Sequence, residues 1–193
     1  MINKIDNWEK VEADYGDRKR LEAGGQICVI YSAKQEESKS GKKMLVINFD
    51  IAEGDFKGYY MSQYKNAQRD EANPQEPKWR GKYYIVLEGE GYEGRLKAFT
   101  TSLEESNAGY TWDWNEEALK GKLFGGIFRE EEYLYEGEVR TTAKIWQVRS
   151  VKTIKDGEFE IPKKKELKEE QKASTTAPFD NFVQPITDDD LPF

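Results

Sequence analysis

Gly24-Gly25-Gln26-Ile27-Cys28-Val29-Ile30-Tyr31-Ser32-Ala33 and Met44-Leu45-Val46-Ile47-Asn48-Phe49-Asp50-Ile51-Ala52 are the two stretches on which the fold turns. The first leaves a Gly-Gly pair for a run rich in Ile, Val and Tyr, which reads as a strand over 26–33. The polar segment 34–43, centred on Ser40-Gly41, reads as a turn. The second stretch, nearly continuous in apolar residues around Asn48 and Asp50, is the returning strand. Gly54 and Gly58 bracket a further turn, after which Tyr59-Tyr60-Met61 reads as a third strand.

Downstream, Pro74 and Pro77 make 62–82 an irregular insertion, and 83–88 is another short apolar run. Leu96, Phe99, Thr100 and Leu103 fall at helical spacing, which predicts a helix over 93–107. A short helical turn follows at 116–119. Residues 123–135 read as a strand interrupted at Gly125-Gly126, where a bulge or bend fits. Residues 141–152 return as the last long strand, with Arg140 in the loop before it. The expected class is mainly β: five strands with one helix between the third and fourth, the order of an OB-fold barrel, with other small barrels and α+β sheets as the alternatives, and a disordered C-terminal tail.

Composition bounds the chemistry. The 193 residues hold 37% apolar and 35% charged residues, too polar for all of them to pack, yet 9 Phe, 11 Tyr and 5 Trp require a compact domain. The expected division is an extension over 1–20, the domain over 21–155, a charged low-complexity linker over 156–187 and an acidic tip over 188–193. There is no histidine, which excludes Ser-His-Asp and Cys-His catalysis and His-ligated zinc. Cys28 is the only cysteine and lies in an apolar run, where an inert thiol is expected. No apolar run approaches the ~18–20 residues of a membrane span. Residues 1–8 lack the apolar core of a signal peptide. A soluble, cytoplasmic protein without cofactor or metal is expected.

Enzyme signatures are weak. Glu104-Glu105 and Glu130-Glu131-Glu132 offer carboxylates, but neighbours on a strand point to opposite faces. Gly89, Gly91 and Gly94 match the letters of a dinucleotide turn, but Glu88, Glu90 and Glu93 would repel a pyrophosphate. A non-enzymatic role is the expectation.

Net charge is −7, of which residues 178–193 supply −4 through Asp180, Asp188, Asp189 and Asp190. The rest is near balance, with basic residues bunched locally. A phosphate backbone needs a local basic groove, and exposed bases need aromatic faces. Residues 59–65 and 78–84 meet that description: Tyr59, Tyr64, Lys65, Lys78, Trp79, Arg80 and Lys82 alternate cation and ring, with Arg69 between. Trp79 is read either as a base-stacking platform or as a lid on the domain. On the expected third strand, alternation pairs Lys57 with Tyr59 and sets Tyr60 on the other face. Lys42 and Lys43 of the first turn, together with Lys34 and Lys39, and Arg140 complete the candidate phosphate contacts. Trp146 reads as a core residue, and Trp112 and Trp114, beside Asp113, as packing residues.

The final residues Asp188-Asp189-Asp190-Leu191-Pro192-Phe193 have the chemistry of a docking peptide: acids to steer, a rigid proline, and an aromatic end for an apolar pocket. This tip resembles that of bacterial single-stranded DNA-binding proteins. The body over residues 21–151 is similar to a phage and mobile-element family proposed to bind single-stranded DNA. That likeness is carried by Ser40-Gly41-Lys42-Lys43-Met44-Leu45, Phe49-Asp50-Ile51, Phe99, Ser106-Asn107, Tyr110 and Leu119-Lys120-Gly121-Lys122. The resemblance implies a protein that coats single-stranded DNA in replication and recombination within a bacterial cytoplasm. Its tip would recruit a helicase, recombinase or polymerase factor. Such barrels often pair through strand edges, which admits a homodimer. The rival reading is an adaptor that recruits those factors without touching DNA.

Overall fold

The computed structural model describes residues 4, 8–10, 19–69 and 76–167. One antiparallel sheet holds β1 (Gly24–Glu37), β2 (Lys43–Ile51), β3 (Lys82–Val86), β4 (Leu123–Tyr135) and β5 (Glu138–Arg149), in the spatial order β3-β2-β1-β4-β5. Helices α1 (Tyr59–Arg69), α2 (Tyr92–Ser106) and α3 (Val151–Asp156) accompany it. β3 and β5 are the sheet edges, and no pairing among the described residues closes the sheet into a barrel.

β1 joins the two halves. Its residues 24–29 pair with β4 and its residues 28–37 with β2, so only Cys28 and Val29 are paired to strands on both sides. Register slips between Ile30 and Ser32, leaving Tyr31 as the extra residue of a bulge, a device that re-aims a side chain. On β2 the side chains alternate between faces. Leu45, Ile47, Phe49 and Ile51 enter the core, while Met44, Val46, Asn48 and Asp50 take the outer face, where all but the half-buried Asn48 are buried as well.

Phe49 sits at the centre of the core, with ring centroids 5.4 Å from Tyr60, 5.8 Å from Phe124 and 6.2 Å from Phe128. Phe99 of α2 extends the cluster to Phe124 at 5.7 Å and to Tyr83 of β3 at 6.1 Å. Each fully buried phenylalanine contributes about 1.5–3 kcal/mol. α2 is tied to the end of β5 as well, since Ser102 Oγ donates to the Arg149 carbonyl at 2.5 Å. This helix therefore leans on both halves of the sheet.

Several sequence expectations need correction. Tyr59-Tyr60-Met61 is the first turn of α1, not a strand, and the third strand is β3. The supposed insertion over 62–82 is helical as far as Arg69 and rejoins the sheet at Lys82. β1 runs four residues past Ala33, so the turn shrinks to 38–42. β5 spans Glu138–Arg149, which puts Arg140 on a strand instead of in a loop, and Val151 opens α3. Ser150 starts that helix by accepting from the Thr153 N–H, and Gly157 stops it at φ 71°.

Packing also continues past residue 155. Lys165 makes a parallel bridge with Glu131, its N–H donating to the Glu130 carbonyl at 2.8 Å and its carbonyl accepting from Glu132 N–H at 2.9 Å. This segment covers the part of β4 that extends beyond β1. The acidic tip, 188–193, lies outside the described residues.

Candidate nucleic-acid interface

Three aromatic rings converge at one end of the outer face of β1, β2 and β3. Trp79 stands between Tyr31, at 5.3 Å, and Tyr64, at 5.7 Å, tilted by 52° and 56° to them. Its indole N–H donates to the Gly81 carbonyl at 2.9 Å, and that oxygen also accepts the Phe49 N–H at 2.8 Å. Trp79 is thus moored to β2 through its own loop. It is half-buried, in contact with the core on one side and with the two tyrosines on the other. Tyr31 is 36% exposed.

A buried carboxylate underlies the group. Asp50 is wholly inaccessible, and its Oδ1 accepts the N–H groups of Ile51 at 2.8 Å and Tyr60 at 2.9 Å. Its Oδ2 accepts Met61 N–H at 3.0 Å and the Tyr31 hydroxyl at 3.5 Å. Asp50 therefore caps α1, the helix that carries Tyr64, and touches the tyrosine on the other side of Trp79. Burial, then the Asp50 charge and hydrogen bond, raise the Tyr31 pKa. The hydroxyl is held as a donor.

The register extends the face from this cluster. Asn48 pairs with Ser32 and Lys82, Val46 with Lys34 and Tyr84, and Met44 with Glu36 and Val86. Asn48 Nδ2 donates to Ser32 Oγ at 2.9 Å, while its buried Oδ1 has no partner among the described residues. Lys43 begins β2 seven residues from Asp50, so the hairpin lysines lie about 23 Å from the aromatic cluster. Lys42 N–H donates to Ser38 Oγ at 3.0 Å, and Lys43 N–H to Glu88 Oε1 at 3.2 Å.

Cations are treated differently at the two sides of the sheet. On β4 and β5, Arg129 and Lys144 both reach Glu131, at 2.7 and 3.3 Å, and Lys164 reaches Glu132 at 2.7 Å. Arg20 holds Glu130 at 2.5 Å. Arg140 meets Glu138 at 3.4 Å and Glu136 at 4.0 Å, and lies over the Tyr135 ring at 4.2 Å. Around Trp79, by contrast, Lys65, Lys78, Arg80 and Lys82 are exposed, as are Lys34 and Lys57. Among the described residues none of these six pairs with a carboxylate.

The structure thus brings Tyr64, Lys65, Lys78, Trp79, Arg80 and Lys82 together. Lys42 and Lys43 lie at the far end of the same sheet half, and Arg140 lies on the strand at the opposite edge. Lys57 is exposed in the turn before α1, donating its N–H to the Gly54 carbonyl. Tyr59 packs instead: its ring lies 5.1 Å from Tyr60 and 6.1 Å from Phe56, and its hydroxyl accepts the Leu21 N–H at 3.4 Å. The strand alternation that paired it with Lys57 does not exist in a helix. Trp112 packs against the core as expected, and Trp146 is half-buried under Arg129, 6.0 Å from its ring centroid. Trp114 does not pack, being 76% exposed.

Tyr31 was missed as a site residue. Its place depends on the bulge between Ile30 and Ser32, and nothing local in the sequence marks that bulge. No cluster of three or more Cys, Asp or Glu side chains suited to a metal occurs among the described residues, and no described helix is long and apolar enough to cross a membrane. No protein-family model matches the chain, and neither does any curated protein.

Proposed function

We propose that this protein binds single-stranded DNA without marked sequence preference, as a non-enzymatic coat for DNA exposed in the replication or recombination of a phage or mobile element. The observation that carries this reading is the set of cations around the Tyr31–Trp79–Tyr64 rings that meet no carboxylate among the described residues. A single strand offers flat bases and a phosphate backbone, and rings interleaved with exposed lysines and arginines answer both. Phosphate contacts release counterions, so affinity should fall steeply with salt.

The strand order supports an OB-like barrel as the scaffold. β3-β2-β1-β4-β5, with α2 between β3 and β4, is the sequence of neighbours such a barrel has when opened between β3 and β5. The outer face of β1–β3 would then carry the strand, with rings at one end and the hairpin lysines at the other. The tip over 188–193 would recruit a helicase, recombinase or polymerase factor through its three aspartates and Phe193.

The test is fluorescence anisotropy of a labelled oligo-dT with the full chain, with a truncation ending at Thr187, and with Trp79→Ala. Loss of one stacking platform costs about 1–3 kcal/mol, so Trp79→Ala should weaken binding roughly 5- to 150-fold. Absence of saturable, salt-dependent binding at low ionic strength by both full chain and truncation would reject the DNA role. The adaptor reading would then stand.

A further inference from the structure

Trp114 is an anomaly for a folded chain. It leaves 76% of its surface exposed, and its backbone lies in the left-handed region at φ 66°, which is uncommon for a bulky residue and costs about 1–3 kcal/mol. Trp112 lies beside it, ring centroids 6.1 Å apart and planes 53° apart. The Trp112 indole N–H is shielded from water yet meets no acceptor among the described residues. The Trp112 backbone N–H, in contrast, donates to Glu104 Oε1 at 2.9 Å, which fixes the loop on α2.

The charge around this pair is negative. Asp113 separates the two tryptophans, and Glu116 and Glu117 follow within three residues. The field is felt at the neighbouring ring: after burial, Asp113 and Glu104 are what raise the Tyr110 pKa. Yet Tyr110 is covered by Lys122, 4.5 Å from its centroid, just as Tyr135 is covered by Arg140 and Trp146 by Arg129. The chain supplies a cation to each of these rings. It supplies none to Trp114 among the described residues, although the indole is the strongest of these acceptors for a cation.

We propose that Trp112 and Trp114, with Asp113, Glu116 and Glu117, form a docking site for an arginine- or lysine-bearing segment of a partner protein. The cationic head would lie over the exposed Trp114 face, with the carboxylates around it. This site is separate from the ring cluster at Trp79 and does not depend on the DNA reading. Its acidic surroundings disfavour phosphate, so a nucleic-acid strand is the wrong occupant.

The experiment follows the indole N–H resonances of the full chain by nitrogen-15 NMR while the blocked peptide Gly-Arg-Gly-Arg-Gly is added. The same peptide with citrulline, the uncharged isostere of arginine, serves as the comparison. The Trp112 and Trp114 signals should move saturably with the arginine peptide and at least several-fold less with citrulline. Trp114→Ala, a change at an exposed side chain, should weaken the response of Trp112 roughly tenfold. Asp113→Asn should weaken it by a smaller factor.

Equal response to both peptides, or shifts spread evenly over the indoles, would overturn the proposal. So would movement of the Trp114 signal by oligo-dT alone, which would reassign the ring to nucleic acid. A failure of oligo-dT to bind anywhere would reject the DNA role and leave this site standing.

Discussion

Replacing Asp50 by asparagine isolates what one buried carboxylate does. The side chain keeps its volume, so no cavity opens, and one amide oxygen can still serve Ile51 and Tyr60 at about their present 2.8 and 2.9 Å. The second oxygen becomes an NH2 group that faces Met61 N–H, now 3.0 Å away, so donor meets donor. A hydrogen bond to a charged acceptor contributes about 1.5–3 kcal/mol, and an unpaired buried N–H adds a penalty of about 1–3 kcal/mol. The two overlap, giving about 2–4 kcal/mol for Asp50→Asn. In a domain of this size that is a Tm loss on the order of 5–15 °C. Urea unfolding followed by circular dichroism should show a lower midpoint at unchanged slope. Trp79 fluorescence should also shift, because α1 carries Tyr64 against it. A change below about 0.5 kcal/mol, typical of an ordinary surface site, would refute the claim that Asp50 anchors the helix.

Other outcomes follow from the same packing. Cys28 is fully buried, and burial, then Asp50, raise its pKa. A thiol reagent at pH 8 should therefore leave the native protein unmodified and react at once in urea. Burial pushes Tyr83 up to about 12, partly offset by Arg95. A group whose folded pKa is raised stabilises fully below its unfolded pKa, near 10, and loses that contribution as pH rises through the folded value. Thermal melts should therefore decline between about pH 10 and 12, and less so in Tyr83→Phe. Gly81→Ala would drive a Cβ into the Phe49 carbonyl and to 2.7 Å from the Tyr60 ring. Backbone on one side and a core ring on the other leave little room to give, so a loss of about 1–3 kcal/mol is expected by chemical denaturation.

What could be read from the chain was what local pattern encodes. β1, β2, α2 and β4 emerge from apolar runs and helical spacing because their burial follows from their own sequence. Tyr59-Tyr60-Met61 misled for a physical reason. Two tyrosines and a methionine suit a strand, and no Ser, Thr, Asp or Asn stands directly before them, since Gly58 does. The cap is Asp50, ten residues upstream on another element, so the start signal for α1 exists only once β2 is folded. Ser150 and Gly157 were ordinary local caps, but Val151 drew the reading toward a longer strand. The candidate site divides in the same way. Trp79 and its flanking cations were visible as a cluster in sequence, whereas Tyr31 joins them through a bulge and a register that only strand pairing creates.

A net charge of −7 says little about the potential at Trp79. Four of those charges belong to aspartates in the last sixteen residues. The Glu130-Glu131-Glu132 run sits on β4, three strands from β3, which is about 14 Å along the sheet at ~4.8 Å per strand. That exceeds the ~8 Å screening length at physiological ionic strength. Those glutamates are also met by Arg20, Arg129, Lys144 and Lys164, so little of their field is left to project. The cations at 65, 78, 80 and 82 lack such partners among the described residues, and their field is the one an approaching polyanion meets. Some cations are tied to the glutamates of β4, while those beside Trp79 meet no carboxylate among the described residues, so local charge differs between the two halves of the sheet. Charge reversal should then act by position. Lys78→Glu with Arg80→Glu should abolish oligo-dT binding at low salt, while Lys144→Glu, at equal cost per residue in net charge, should change it less than about threefold. Equal losses from the two sides of the sheet would mean that overall charge, and not this face, governs the encounter.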